Sequence, residues 1–321
     1  MNENWLNGIL PVFREFKQDH GEDSFCYSVS DTSSLIAVMD GCGGLGSRRY
    51  ERHGGKTGAF IASRLVSETL LRWYEQYHPA ASNEKNSSHL CVELQKCMNQ
   101  AKEVLQAEAR SLMLGSMVRT LPTTLCGVLI EPRDSNTILA RFFGAGDSRG
   151  FVLTADCFCQ ITQDDLIGSP DAMENLFMDA PMSMTVNADQ PVRLHDCLIK
   201  MQMPVMFITA TDGVFSYFRS PMDFEFFLLD TLQCSSSLME WQKNMDQVLK
   251  NVAADDYSML IAPCGYTSFK QLHSSVRRRR EWLNKEYIKP MNAYQPRNRE
   301  QIAQLWNQYK AYYYGGENVH G

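Results

Sequence analysis

The run Leu35-Ile36-Ala37-Val38-Met39-Asp40-Gly41-Cys42-Gly43-Gly44 delivers a carboxylate from an apolar stretch into a glycine-rich turn. The apolar residues read as a buried strand, and the glycines let backbone approach a ligand closely. An acid at the end of a buried strand is costly unless something positive meets it. A hard cation is the expected partner, because carboxylate and carbonyl oxygens suit magnesium or manganese. Three more acidic strings share the pattern. Glu22-Asp23 precedes a short strand at 24–29, Asp212-Gly213 follows the apolar run 205–208, and Asp255-Asp256 precedes a final strand at 257–261. Carboxylates at strand ends, far apart in sequence, can converge at one end of a sheet.

The glycine turn also satisfies G-x-G-x-x-G through Gly41, Gly43 and Gly46, the dinucleotide fingerprint. That chemistry needs a helix opening at once and an acid ending a second strand ~20 residues on. Residues 47–55 are instead a charged loop, and Asp40 in front would repel a pyrophosphate. The metal reading is preferred.

Taken together, the strings resemble the metal-dependent protein phosphatases of the protein phosphatase 2C family over roughly residues 8 to 262. Glu22-Asp23 looks like the N-terminal acidic motif, and Asp40-Gly41-Cys42-Gly43-Gly44 like the Asp-Gly-x-Gly-Gly signature. Pro122-Thr123-Thr124-Leu125-Cys126 stands where small residues usually begin a strand. Gly146-Asp147-Ser148-Arg149 matches a family string letter for letter. Thr211-Asp212-Gly213 and Asp255-Asp256 resemble its two closing motifs. Each string alone is weak; six in the family's order are a strong signal.

The resemblance implies hydrolysis of phosphoserine and phosphothreonine in protein substrates. Two Mn2+ or Mg2+ ions would neutralise the ester's charge and activate a bridging water for in-line attack. It implies that Asp40 bridges both metals, that the Gly41 carbonyl binds one, and that Asp212 and Asp255 ligate the other. Glu22 and Asp23 would act mostly through metal-bound waters. Asp147 matches a position linked to a third, weaker metal. Gly146 would admit the tight turn beside it, and Arg149 would hold that turn by a salt bridge.

Two departures stand out. Many members carry His after Asp-Gly, proposed as general acid; here Cys42 stands there, read as a non-ligating filler. The family often places an Arg, a clamp for the substrate phosphate, five residues before the second acid of its first motif. That position is Gln18 here, with Lys17 and Arg14 nearby. Lys17 and Gln18 are therefore the candidate substrate-binding residues. The alternative function is a catalytically silent phosphatase-like module that binds a phosphoprotein or regulatory partner; the full set of metal carboxylates favours the enzyme.

The elements that must position these residues follow from periodicity. Residues 58–77 and about 90–113 read as two amphipathic helices, and 125–130, 138–144, 150–153 and 158–161 as strands. The expected fold class is α+β: two antiparallel sheets sandwiched between layers of paired helices, plus a C-terminal helical arm. Only 64 residues separate Asp147 from Asp212, so the flap over the site should be short. Its methionines Met173, Met178, Met182 and Met184 read as packing a loop onto the body. The histidines show no ligand spacing.

Charge divides the 321 residues in two. Residues 264–321 carry a net +6 and the rest −12, within a total of −6. This sets the domain expectation: a catalytic domain at 1–263 and a basic, aromatic-rich helical extension at 264–321. In the extension, 268–288 reads as a helix bearing Arg277 to Arg280. Pro290 and Pro296 bracket a linker, and Asn298 with Gln301 resembles a capping box before a second helix. Its aromatic face should fold back on the body or dock a protein partner. The arginines read as a solvated face or a contact with the acidic body, so nucleic acid is not an expected partner. No run reaches the ~20 apolar residues of a membrane span. Ten scattered cysteines and an N-terminus without a secretory pattern give a cytoplasmic expectation.

Overall fold

In the computed structural model, which describes residues 5–77, 86–108, 119–178, 180–293 and 299–315, two five-stranded antiparallel sheets pack face to face. The chain begins with β1 (Leu10–Arg14), β2 (Ser24–Val29) and β3 (Ser34–Met39), then the ribbon β4 (Arg49–Tyr50) and β5 (Lys56–Thr57). Helices α1 (Gly58–Tyr77) and α2 (Asn86–Glu108) follow. Next come β6 (Leu125–Pro132), β7 (Thr137–Ala145), β8 (Arg149–Leu153), β9 (Phe158–Gln160) and the short α3 (Ala172–Asn175). Beyond them lie β10 (His195–Gln202), β11 (Val205–Ala210), α4 (Asp212–Phe215), α5 (Pro221–Gln233), α6 (Leu238–Val252) and β12 (Tyr257–Cys264). The last elements are α7 (Phe269–Ser275), α8 (Arg277–Leu283), a π-helical turn at Asn284–Ile288, α9 (Lys289–Ala293) and α10 (Arg299–Tyr313).

The sheets run β1-β12-β11-β8-β9 and β10-β7-β6-β3-β2. β3, β11 and β12 are central and buried along their whole length, which is why each reads as a continuous apolar run rather than an alternating one. Antiparallel register then decides where the acids go. Ser24 opposes Met39, Ala210 opposes Met259, Leu125 opposes Ala145 and Ala210 opposes Arg149. The start of β2 and the end of β3, the end of β11 and the start of β12, and the β7–β8 turn therefore share one end of the sandwich.

Ile36, Val38, Val128 and Phe142 meet Val152, Phe207 and Leu260 between the sheets. On α1, Ala62, Val66, Leu70 and Trp73 form the buried stripe against one sheet. The helix spans the residues its period predicts. α2 is described only to Glu108, so the expected residues 109–113 lie outside the described ones. α5 and α6 cover the other sheet, and the C-terminal helices join the same core: Leu272, Val276, Leu283, Trp306 and Tyr313 pack with Phe151, Phe158 and Phe224.

The arm differs in detail from its sequence pattern. Ser268 is the N-cap of α7, not its first residue, and Val276 divides the expected helix. Pro290 lies in a helical run that continues from α8 through the π-helical turn into α9, so no linker opens there. Pro296 and Asn298 lie outside the described residues. The arginine run divides: Arg277 and Arg278 are exposed, while Arg279 pairs with Glu225 and Arg280 Nε donates to Asp230 at 2.9 Å. Trp306, Tyr309 and Tyr313 of α10 are covered by the body, while Tyr312 stays exposed. All ten cysteines are free thiols, and no described helix is long and apolar enough to cross a membrane.

Candidate functional site

Asp40 leaves β3 with its backbone fixed on three sides. Its N–H donates to Thr124 Oγ1 (3.0 Å), and its carbonyl accepts from Thr124 N–H and Thr123 Oγ1, both at 2.8 Å. The Thr124 hydroxyl also meets Ser148 Oγ at 2.7 Å, tying the Asp40 turn to the Asp147 turn. Gly41 is held at Glu22 O (3.3 Å); a Cβ there would come 2.6 Å from the Ala59 carbonyl. Gly146 has φ +98°, a left-handed conformation that glycine adopts without a Cβ penalty. The two threonines thus have a role that sequence reading left as a strand start.

The other acids arrive as the register requires. Asp23 is 2% exposed and accepts from Thr211 Oγ1 at 2.8 Å. Glu22 accepts from the Thr57 hydroxyl. Asp40, Asp147 and Asp212 are half-buried, and Asp255 is exposed at the rim. The Asp40 and Asp212 carboxyl groups meet within hydrogen-bonding reach. Asp256 spends its carboxylate on backbone: it accepts the Phe16 and Glu22 N–H groups at 2.7 and 2.6 Å, clamping the first acidic loop onto β12. A Cβ at Gly213 would lie 1.8 Å from the Asp256 carbonyl, so only glycine fits that crossing.

Like charges at close quarters disfavour ionisation, as burial does. Burial, then repulsion from Asp23, Asp212 and Asp147, pushes Asp40 well above the usual carboxylate range. Burial, with Asp212 and Asp256 adding to it, lifts Asp23 to about 8. Burial, then Asp212 and Asp164, lifts Asp147 to about 7. Glu22, Asp212 and Asp255 are raised too, each chiefly by burial. Asp147 Oδ1 is buried with no hydrogen-bond partner. Among the described residues no three acidic, histidine or cysteine side chains close into a finished cage. What the site offers is a gathering of hard oxygen donors with an orphaned lone pair and mutual repulsion, and this donor set fits a divalent cation.

Lys17 and Gln18 lie in the exposed loop 16–20, where their carbonyls accept from His20. Arg14 lies with Gln242 and Asp246 of α6, away from the acids. Arg64 pairs with Glu15 at 3.6 Å and donates to the Glu22 carbonyl at 3.2 Å, and a second cation brought to this loop is Lys56. Its ammonium donates to the Asp19 carbonyl and sits 4.4 Å over the Phe60 ring, one residue before Thr57, whose hydroxyl reaches Glu22. Sequence reading missed Lys56. Its signal was the basic run Arg48, Arg49, Arg52 and Lys56 directly after the glycine turn.

Cys42 is buried, and burial followed by repulsion from Asp40 pushes its thiol well above the ordinary range. Arg149 pairs with Asp164 at 2.6 Å, both nearly inaccessible, and stacks 4.3 Å over Phe215. Of the flap methionines, Met173 is buried in the core and Met178 is exposed.

A sequence model described as Protein phosphatase 2C matches residues 14–251. No curated protein sequence matches the chain. Among solved structures, the serine/threonine phosphatase PstP/Ppp of Mycobacterium tuberculosis is similar at 15% identity and TM-score 0.57, covering 81% of this chain and 100% of that one. The PstP catalytic domain in complex with two manganese ions is similar at 16% identity and TM-score 0.56, covering 80% and 98%. A C. elegans sex determining protein is similar at 14% identity and TM-score 0.59, covering 84% and 67%. At these identities the likeness is one of fold.

Proposed function

The chain belongs to the protein phosphatase 2C family, and from that premise we propose that it hydrolyses phosphoserine and phosphothreonine esters in proteins with the help of Mn2+ or Mg2+. One observation carries this reading: acids from distant strings meet at one end of the sandwich, where burial and then mutual repulsion raise Asp40 and Asp147, and Asp147 Oδ1 has no partner. The PstP structure with two manganese ions supports the choice of metal.

Divalent cations held here would neutralise the ester's charge and make water nucleophilic at neutral pH. Asp40, Asp212 and Asp255, with the Gly41 carbonyl, are the residues to hold two of them, and Asp147 a third. Glu22 faces the same space, fixed by Thr57. Asp23, locked by Thr211, adds negative charge from beneath and orients the floor of the site. Thr123 and Thr124 keep the Asp40 carboxylate from swinging away with its turn. Lys56, with donors beyond the one spent on Asp19, serves as the phosphate-binding cation that Gln18 cannot be. Cys42 fills space as a neutral thiol.

The test is hydrolysis of an aryl phosphate and of a phosphothreonine peptide with Mn2+ present and with the metal chelated. Turnover that needs the metal is the expected result. Phosphopeptide binding without turnover would replace the enzyme by the silent binding module.

A further inference from the structure

Asp147 has no hydrogen bond of its own at Oδ1, so its place depends on the turn that carries it. That turn is gripped from both sides by consecutive flap acids. Asp165 accepts the Gly146 N–H through Oδ2 and donates its own N–H to the Gly146 carbonyl, both at 2.9 Å. Asp164 takes the Arg149 fork at 2.9 and 2.6 Å. Arg149 in turn stacks on Phe215, the last residue of the α4 turn that opens with Asp212. One buried guanidinium therefore touches both metal-site turns.

What holds the flap acids is the C-terminal helix. Tyr313 OH donates to Gln160 Oε1 at 2.8 Å, which leaves Gln160 Nε2 to donate to Asp164 Oδ1 at 3.1 Å. Trp306 Nε1 donates to both Asp171 oxygens, at 2.8 and 3.0 Å. Asp171 caps α3, whose Asn175 donates to Asp164 Oδ2 at 2.8 Å. Tyr314 OH accepts the Ala172 N–H at 2.7 Å, and the Ala172 carbonyl accepts from Arg149 at 3.4 Å. Asp164 thus takes four hydrogen bonds, two from Arg149 and two from groups oriented by α10 or by the α3 it docks. Residues 299–313 lie beyond the stretch matched by the family's sequence model.

We propose that α10 is a positioning element of the metal centre: Tyr313 and Trp306 act through Gln160, Asp164 and Asp171 on Arg149, and so set Asp147 and the turn bearing Asp212. The inference rests on the metal-dependent function proposed above. A planar fork held at both oxygens of one carboxylate has a single orientation, so loosening Asp164 releases Arg149 and both turns together. Outer partners of metal ligands orient those ligands, and losing one typically weakens metal affinity or activity.

The test is calorimetric titration of the full chain with Mn2+, beside hydrogen exchange of residues 144–150 in the metal-free protein. Arg149→Lys should weaken Mn2+ binding about 10- to 100-fold, the usual cost of losing an outer partner. Tyr313→Phe and Trp306→Phe should each weaken it about three- to tenfold, the scale of one hydrogen bond, and should speed exchange in the Asp147 turn. Leu272→Ala, an arm core substitution outside the network, should lower the melting temperature and leave both readouts unchanged. Unchanged Mn2+ binding and exchange in the tyrosine and tryptophan variants would overturn the proposal. Equal losses in Leu272→Ala would overturn it too, since general loosening would then account for them. If the unmodified protein binds no Mn2+, the function proposed above fails instead, and the exchange rates still decide whether α10 positions the turn.

Discussion

Two regions of this protein take charge out of water, and they do so in opposite ways. Under the C-terminal arm, Arg279 and Glu225 are almost completely buried, and Tyr309 also donates to Glu225. Burial works against the arginine's charge, and Glu225 and Tyr309 outweigh it, keeping Arg279 firmly protonated. At the mouth of the sandwich, Asp23, Asp40, Asp147 and Asp212 gather with like charges, and each is pushed toward its neutral form. The first arrangement is complete within the chain. The second leaves its like charges uncompensated by one another, which is what the proposed cation binding would answer.

The largest expected effect tests the satisfied region. Glu225→Ala strands the Arg279 charge in the core and should cost about 3–5 kcal/mol in denaturant unfolding, the usual cost of breaking a buried pair. A loss below about 1 kcal/mol would show that water reaches the arginine and that the contrast is overdrawn. Next comes Asp40→Asn at the unsatisfied end. It should lower Mn2+-dependent hydrolysis by more than about 100-fold, beyond the usual cost of losing only an outer partner of a metal ligand. It should also raise the melting temperature of the metal-free protein, because one of the repelling charges is gone. Full turnover in this variant would remove Asp40 from the chemistry.

Metal addition probes the same contrast without mutation. At about 100 times its dissociation constant, Mn2+ should stabilise the unmodified chain by about 2.7 kcal/mol. A melting curve indifferent to Mn2+ would mean that the acids gather for another reason. The smallest expected effect concerns Lys56, the lysine held at the Asp19 carbonyl. Lys56→Ala should raise the Michaelis constant for a small phosphate ester about tenfold, the lower end for a charged hydrogen bond at a partly exposed site. An unchanged constant in Lys56→Ala together with a raised one in Lys17→Ala would return the clamp to the loop where sequence placed it.

Much of the core was readable because burial imposes period. β3, β11 and β12 are buried throughout and mostly apolar since both faces are covered, and α1 covers the residues its 3.6-residue repeat predicts. The acids were readable since each ends or begins such a strand. Asp256 was not separable from Asp255 by spacing, although one turns outward to the rim and the other clamps the Phe16 and Glu22 amides. The division of the arm at Val276 and the helical place of Pro290 were hidden as well, because tertiary packing supplies the stability that local propensity lacks.

By itself the sequence determined the set of strand-end carboxylates, the glycines that let them approach, and the layers that must enclose them. These are properties of single elements, and periodicity reports single elements. Only the tertiary structure decided which groups touch across 37 to 188 residues of chain: Lys56 at Asp19, Thr211 at Asp23, Arg279 at Glu225 and Tyr313 at Gln160. Antiparallel register and helix docking choose those pairs, and neither is written in the residues adjacent to them.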